Sequence, residues 1–253
     1  MPVRYLLLGP LQVIGETPQT ITAPKIETLL ATLLIRANQP VPAEDLITEL
    51  WGEHPPRRVR AALHVYVSHI RKRFTGTEPG TGVLHTHGQG YLLEVADARI
   101  DVTELQVEYA RGRALAGRNP AAALAAYGRA VALFRGPVLS GIRNGSVVNR
   151  FGRWADEVRL ECLEGFARTS LTVGRHRELI GELTQWTEEY PLHEPLREQL
   201  MLSLYRAGRR GEALAAFHRA RQVLREELGL EPRESMRRLQ SDILTERVLP
   251  LAS

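Results

Sequence analysis

Between Arg57 and Arg73 the chain carries six arginine or lysine residues and not one aspartate or glutamate. Over the same stretch Leu63, Val67, Ile70 and Phe74 fall at i, i+4, i+7 and i+11, the spacing of a narrow apolar stripe on a helix of about residues 58–74. At about 100° per residue the face opposite that stripe holds Arg58, Ala61, Val65, Ser68, His69 and Lys72. Arg57, Arg60, His64 and Arg71 flank this face, and Arg73 lies on the other side. A helix so built is anchored on a small core by one stripe and offers an acid-free basic surface outward. A merely solvated face is the bland alternative, but such faces ordinarily mix charges of both signs through i,i+4 pairs. An anionic partner explains the missing acid directly.

The flanking pattern sharpens this reading. Short strands are expected at Val3–Leu8, Leu11–Ile14 and Thr20–Ile21. A first helix follows, with Thr22 as N-cap, Pro24 in its first turn, and Ile26, Leu29, Leu30, Leu33 and Leu34 on one stripe. Asn38-Gln39-Pro40 stops it. A second helix runs from about Ala43 to Leu50, with Leu46, Ile47 and Leu50 inward and Glu44 and Asp45 in its first turn. The loop Glu53-His54-Pro55-Pro56 leads into the basic helix. Beyond it come a strand at Val83–His87, the turn Gly88-Gln89-Gly90 and a strand at Tyr91–Val95. Strands, three helices and a terminal hairpin make a winged helix-turn-helix over residues 1–95, whose third helix has the shape of a major-groove reader. His85 and His87 alternate on one face of the hairpin, as a wing facing phosphates requires. A metal pair there has no third ligand nearby in sequence, so no metal is expected.

Residues 96–100 read as a short linker, and from Asp101 onward the pattern is helical. The expected runs are Val102–Leu115, Ala121–Phe134, Arg153–Val173, Glu178–Glu189, Leu196–Ala207, Gly211–Leu228 and Pro232–Thr245. Gly174-Arg175 with Glu178, Leu179 and Leu183 recurs 34 residues later as Gly208-Arg209 with Glu212, Ala213 and Phe217. That is the tetratricopeptide period, and Ala123-Leu124 with Tyr127 echoes it upstream. The chain is therefore expected to be mainly α. An N-terminal α+β winged helix-turn-helix is followed by an all-α, tetratricopeptide-like helical-repeat domain over residues 101–246.

Composition narrows the function classes. With 43% apolar and 25% charged residues, most of the chain has enough apolar content to fold. Of 33 basic residues only Lys25 and Lys72 are lysines, and the net charge is just +4, so a nucleic-acid argument must rest on where the charge lies. The single cysteine, Cys162, excludes an internal disulfide and a cysteine-built zinc site, and its apolar neighbours suit a buried, inert thiol. No apolar run of about 18 residues is present, so no membrane span is expected. Tyr5-Leu6-Leu7-Leu8 is broken by Gly9-Pro10 and reads as a buried strand rather than a leader, and the single cysteine suits the expected reducing cytoplasm. Phosphate-loop, zinc-protease and nucleophile-elbow motifs are missing, so neither an enzyme nor a cofactor is expected.

Ala23-Pro24-Lys25, Leu29-Leu30-Ala31-x-Leu33-Leu34, Pro40-Val41, Leu46-x-x-x-Leu50-Trp51-Gly52, Val67-x-x-Ile70-Arg71 and Gly90-Tyr91-Leu92 follow one another as in an OmpR/PhoB-type winged helix. The second half resembles the bacterial transcriptional activator domain. It carries Arg135-Gly136-Pro137-x-Leu139, Gly174-Arg175, Tyr190-Pro191-Leu192 with Glu194, Leu200-Met201-x-x-Leu204-Tyr205-x-x-Gly208-Arg209, Ala213-Leu214 and Glu227-Leu228-Gly229-Leu230-x-Pro232. The pair, covering residues 3 to about 246, resembles the Streptomyces antibiotic regulatory proteins in a small form. The resemblance implies a transcriptional activator of an antibiotic gene cluster. Such a protein binds direct repeats in double-stranded DNA near the −35 region and recruits RNA polymerase through its sigma factor. It places base-reading positions on Ala61, His64, Val65, Ser68 and His69, backbone contacts on Tyr66 and Arg71, and a wing contact on His87. His69 and His87 stand where arginine is common in that family.

Arg57, Arg60, Arg71, Lys72 and Arg73 are the expected phosphate contacts, and the loop Glu53-His54-Pro55-Pro56 the expected polymerase contact. Direct-repeat sites would suit a homodimer on DNA. The competing reading is a helical-repeat interaction protein or small-molecule sensor, with Trp154 and Trp186 lining a groove and DNA binding secondary. A repressor on the same scaffold is a further alternative, since a basic helix serves either sign of regulation.

Overall fold

The computed structural model describes residues 3–15, 18–21, 23–73, 82–95, 99–142 and 145–246. They fall into two compact units, Met1–Val107 with Ala130–Arg159, and Glu108–Arg129 with Leu160–Ser253.

In the first unit β1 (Arg4–Leu6), β2 (Gln12–Ile14), β3 (Pro18–Thr20) and β7 (Arg99–Ile100) form a sheet of order β3-β2-β1-β7. Tyr5 sits opposite Val13 in the antiparallel β1–β2 pair and opposite Ile100 in the parallel β1–β7 pair. Tyr5, Leu7, Leu8 and Leu11 are buried, so the apolar N-terminal run is core. The expected linker thus ends in a strand. Two residues are too few to show a period of two, and residues 96–98 lie outside the described ones.

Three helices follow: α1 (Pro24–Ile35), α2 (Ala43–Trp51) and α3 (Val59–Arg73). Leu29, Leu30, Leu33 and Leu34 of α1 are buried as their spacing requires. The cap differs from expectation. Ala23, not Thr22, is the N-cap of α1, and no side chain bonds it; Thr22 itself lies outside the described residues. Pro24 has no N–H to satisfy, and the Ala23 carbonyl accepts the Ile26 and Glu27 amides at 3.0 Å. In α3, Leu63, Val67 and Ile70 are buried and form the predicted stripe; its fourth member, Phe74, falls outside the described residues. The wing is β5 (Val83–His87) paired antiparallel with β6 (Gly90–Glu94), and β4 (Val41–Pro42) joins β6 on the other side. Gly90 lies across from Pro42, where a Cβ would come within 2.1 Å of the Val41 carbonyl oxygen. Only glycine permits that approach.

Two buried carboxylates hold residues from the helical half within this unit. Asp101 opens α4 (Asp101–Leu115) and is 1% exposed. The Leu7 amide donates to both of its oxygens at 2.9 Å, and the Leu8 amide donates to Oδ2 at 2.9 Å. Burial pushes this carboxyl above the ordinary aspartate range, while those amides and the Arg135 charge pull it back. Glu49 of α2 is the second. It accepts the Val147 amide at 2.8 Å, the Val148 amide at 3.0 Å and the Ser146 hydroxyl at 3.2 Å. It therefore caps α6 (Ser146–Thr172), where the free N–H groups and the positive end of the dipole favour an anion. This helix starts at Ser146 rather than near Arg153, because its first turn is satisfied by a residue far away in sequence. After α5 (Pro120–Ala132), the Arg135 amide donates to the Leu8 carbonyl and the Leu139 amide to that of Gly9, each at 2.8 Å. The Arg135-Gly136-Pro137 motif thus docks against the Gly9-Pro10 turn.

The second unit includes α7 (His176–Glu189), α8 (Glu194–Arg206), α9 (Arg210–Leu228) and α10 (Glu234–Leu244). The 34-residue repeat survives to the level of the turns. Gly174 and Gly208 have φ of 83° and 79°, the left-handed values that end a helix. Arg175 and Arg209 then donate backward to Ser170 and Leu204 at 2.8 and 2.9 Å, and each pairs with the glutamate three residues on. Leu179 and Leu183 are buried, as are their repeat partners Ala213 and Phe217. Cys162 is fully buried with its thiol pushed up to about 12, which keeps it protonated and inert. Glu164 pairs with His193, the N-cap of α8, at 2.8 Å. That bond is the chief reason its carboxyl lies below the usual range.

Two of these carboxylates make measurable contributions to stability. Asp101→Ala leaves the Leu7 and Leu8 amides buried without an acceptor and should cost about 2–4 kcal/mol in urea unfolding, with Asp101→Asn costing less. Glu164 has a depressed folded pKa, so its contribution is present above the unfolded carboxyl value of about 4.3 and is lost as pH falls through the folded one. Acid titration of stability should therefore show wild type losing more than Glu164→Gln below about pH 4.3.

Candidate nucleic-acid interface

The face of α3 turned away from the Leu63, Val67 and Ile70 stripe is solvent-exposed. Arg57, Arg58, Arg60, Ala61, His64, Val65, Ser68, His69, Arg71, Lys72 and Arg73 are all exposed, and Tyr66 is half-buried. Val65 stands out at 64% exposure, a branched apolar side chain amid polar neighbours. The structure thus brings the sequence-nominated residues of the helix onto one accessible surface. His87 is exposed at the end of β5, and Glu53, His54, Pro55 and Pro56 are exposed in the connection between α2 and α3.

The basic residues differ in what they already touch. Arg60 pairs with Glu44 of α2 at 2.6 Å, both side chains being largely exposed. An ion pair of that kind is worth at most about 1 kcal/mol and exchanges readily for another anion. Arg71 is more deeply committed. Its Nε donates to the Leu84 carbonyl and its Nη2 to the Thr86 hydroxyl, both at 2.8 Å, and its guanidinium lies 5.9 Å from the Tyr91 ring centre. Arg71 therefore ties the end of α3 to the wing. No sequence pattern signals this, since a basic residue at a helix end looks the same whether it faces a phosphate or a strand.

Aromatic contacts fix the remaining orientation. Tyr66 stacks on Trp51 with ring centres 5.9 Å apart. Lys25 caps that pair from α1, its ammonium 6.0 Å from the Trp51 ring centre and bonded to the Leu50 carbonyl. Tyr91 of β6 reaches across to His64, its hydroxyl 3.0 Å from Nδ1. Burial raises the Tyr91 phenol above its ordinary value, opposed by the nearby Arg71 charge, so the hydroxyl keeps its proton. A cavity of about 370 Å³ opens beside this pair, bounded among others by Glu44, Arg60, Gln89 and Thr86. Glu44, Thr86, Trp51 and Tyr91 carry no local sequence signal as partners, because each acts through tertiary contact.

His85 meets Glu94 on the neighbouring strand at 2.9 Å, and no group of three metal-binding side chains occurs among the described residues. Of the tryptophans, Trp186 is buried against Phe166 in the second unit. Trp154 is half-buried against Phe151 in the first, beside a shallow cavity of about 440 Å³ with Arg36 and Arg150 on its rim. Among the described residues no helix is long and apolar enough to cross a membrane.

Comparison with known proteins places these features in context. The family described as transcriptional regulatory protein, C terminal, matches residues 19–93, and the bacterial transcriptional activator domain matches residues 100–244. The chain is 37% identical over 249 residues to the regulatory protein AfsR of Streptomyces coelicolor, covering 96% of this chain and 24% of that protein. It is 34% identical to the regulatory protein DnrI of Streptomyces peucetius, over 94% of this chain and 90% of that one. Among solved structures, Mycobacterium tuberculosis EmbR in complex with a low-affinity phosphopeptide superposes with a TM-score of 0.84 at 32% identity, over 98% of this chain and 66% of that chain. The chain thus spans about a quarter of AfsR and most of DnrI.

Proposed function

Because the chain belongs to the Streptomyces antibiotic regulatory proteins, a family of transcription regulators, we propose that it is a sequence-specific activator of a secondary-metabolite gene cluster in the cytoplasm. The observation that carries this reading is the exposed, acid-free face of α3 set beside the wing. In the proposal residues 1–95 bind double-stranded DNA at direct repeats near the −35 region, and residues 101–246 supply the helical scaffold through which two protomers cooperate. Ala61, His64, Val65, Ser68 and His69 meet base edges in the major groove, with the exposed Val65 suited to a thymine methyl.

Affinity comes mainly from phosphates. Arg57, Arg60, Lys72 and Arg73 supply positive charge along the groove walls, and Arg60 trades its exposed Glu44 partner for a phosphate. Arg71 adds its charge while holding the wing, where His87 faces the backbone, and Tyr66 donates to a phosphate from its stack on Trp51. The exposed loop Glu53-His54-Pro55-Pro56 is left free beside α3 to touch RNA polymerase or its sigma factor. No cofactor takes part in this reading.

The phosphate assignment is tested by titrating binding against salt. Lys72→Ala should weaken all DNA sequences to a similar degree and flatten the plot of log affinity against log salt by about one unit. An unchanged slope would remove Lys72 from the set, and a wild-type protein without salt-dependent binding would remove the reading itself.

A further inference from the structure

We propose that Tyr91 is a specificity-positioning residue: its hydroxyl fixes the His64 ring so that His64 presents Nε2–H to a hydrogen-bond acceptor on a base edge, guanine above all. The inference rests on the DNA-binding reading of α3 and deepens it.

Three observations carry it. The Tyr91 hydroxyl lies 3.0 Å from Nδ1 of His64, and the two rings meet edge to face at 77° with centres 6.4 Å apart. His64 is otherwise exposed on the outer face of α3. Arg71 sets its guanidinium 5.9 Å from the centre of the Tyr91 ring while its Nε and Nη2 are anchored on Leu84 and Thr86 of β5.

The chemistry follows from these. The nitrogen that a neutral imidazole protonates is set by the bond its other nitrogen makes. A phenol is a good donor and a weak acceptor, because its oxygen lone pair is shared with the ring, and a guanidinium near that ring draws electron density off further. Tyr91 therefore donates to Nδ1, and the ring proton resides on Nε2. The two nitrogens lie on opposite edges of the imidazole, so Nε2–H points away from the wing. In the major groove guanine offers two acceptors, N7 and O6, whereas cytosine offers a donor. His64 so held accepts guanine and rejects cytosine. The wing thus contributes to base choice without touching a base.

Two measurements test this. Nitrogen-15 spectra of histidine-labelled protein should show His64 as the Nε2–H tautomer with Nδ1 unprotonated; Nδ1–H in the free protein would overturn the inference without reference to DNA. The second uses the protein's own selected half-site. Replacing one guanine by 7-deazaguanine, or by the base pair with cytosine on that strand, should cost wild type about fivefold in affinity. Tyr91→Phe and His64→Ala should each remove most of that penalty, and Tyr91→Phe should have no further effect on it in the His64→Ala background. Salt dependence should be the same in all three variants. If Tyr91→Phe weakens every sequence alike and leaves the guanine penalty intact, Tyr91 only packs the wing and the inference fails while DNA binding stands. If no sequence is preferred by wild type, the inference fails together with the reading beneath it.

Discussion

Asp101 is the interaction on which the arrangement of the first unit depends. A carboxylate with 1% exposure is tolerated only because the amides of Leu7 and Leu8 converge on it. It joins the first residue of the helical half to the end of β1. The amides of Arg135 and Leu139 donate to the carbonyls just beyond, at Leu8 and Gly9. Glu49 repeats the device from α2 by capping α6. The winged helix is thus packed with residues 130–159, which lie beyond the linker expected between the two halves.

That arrangement bears on function through α2 and α3. Glu49 lies on α2, whose Glu44 pairs with Arg60 and whose Trp51 stacks on Tyr66. α3 is held from below by Leu63, Val67 and Ile70, from the side by Trp51, and at its C-terminal end by Arg71 on the wing. A helix fixed at so many points presents its outer face in one orientation. Rigid presentation of this sort is what groove recognition needs, since base contacts discriminate only when their geometry is set beforehand.

Much of this was legible in the sequence, for identifiable physical reasons. The stripe Leu63, Val67 and Ile70 announced both the existence and the facing of α3, because helical period and burial are strictly linked. The 34-residue echo of Gly174-Arg175 in Gly208-Arg209 marks a repeat, which the structure carries down to equivalent left-handed turns. What escaped was tertiary. Glu49 looks like any acid on an amphipathic helix, and its partners at 146–148 carry no complementary signal. β4 and β7 are two-residue strands formed by pairing alone. The start of α6 moved because its cap lies in α2. At the candidate interface the exposed residues were readable from helical geometry. The commitment of Arg71 to Leu84 and Thr86, and of His64 to Tyr91, was not, because each joins elements whose closeness only the fold creates.

In the proposal, α3 and the wing read a defined DNA sequence. The decisive measurement is selection of fragments of the source genome by the purified full chain at about physiological salt, followed by sequencing of what is bound. Recovery of a few promoters bearing tandem direct repeats that share one motif is the expected result. Diffuse recovery without a motif, fading as salt rises, would contradict it and reduce the arginines to non-specific attraction.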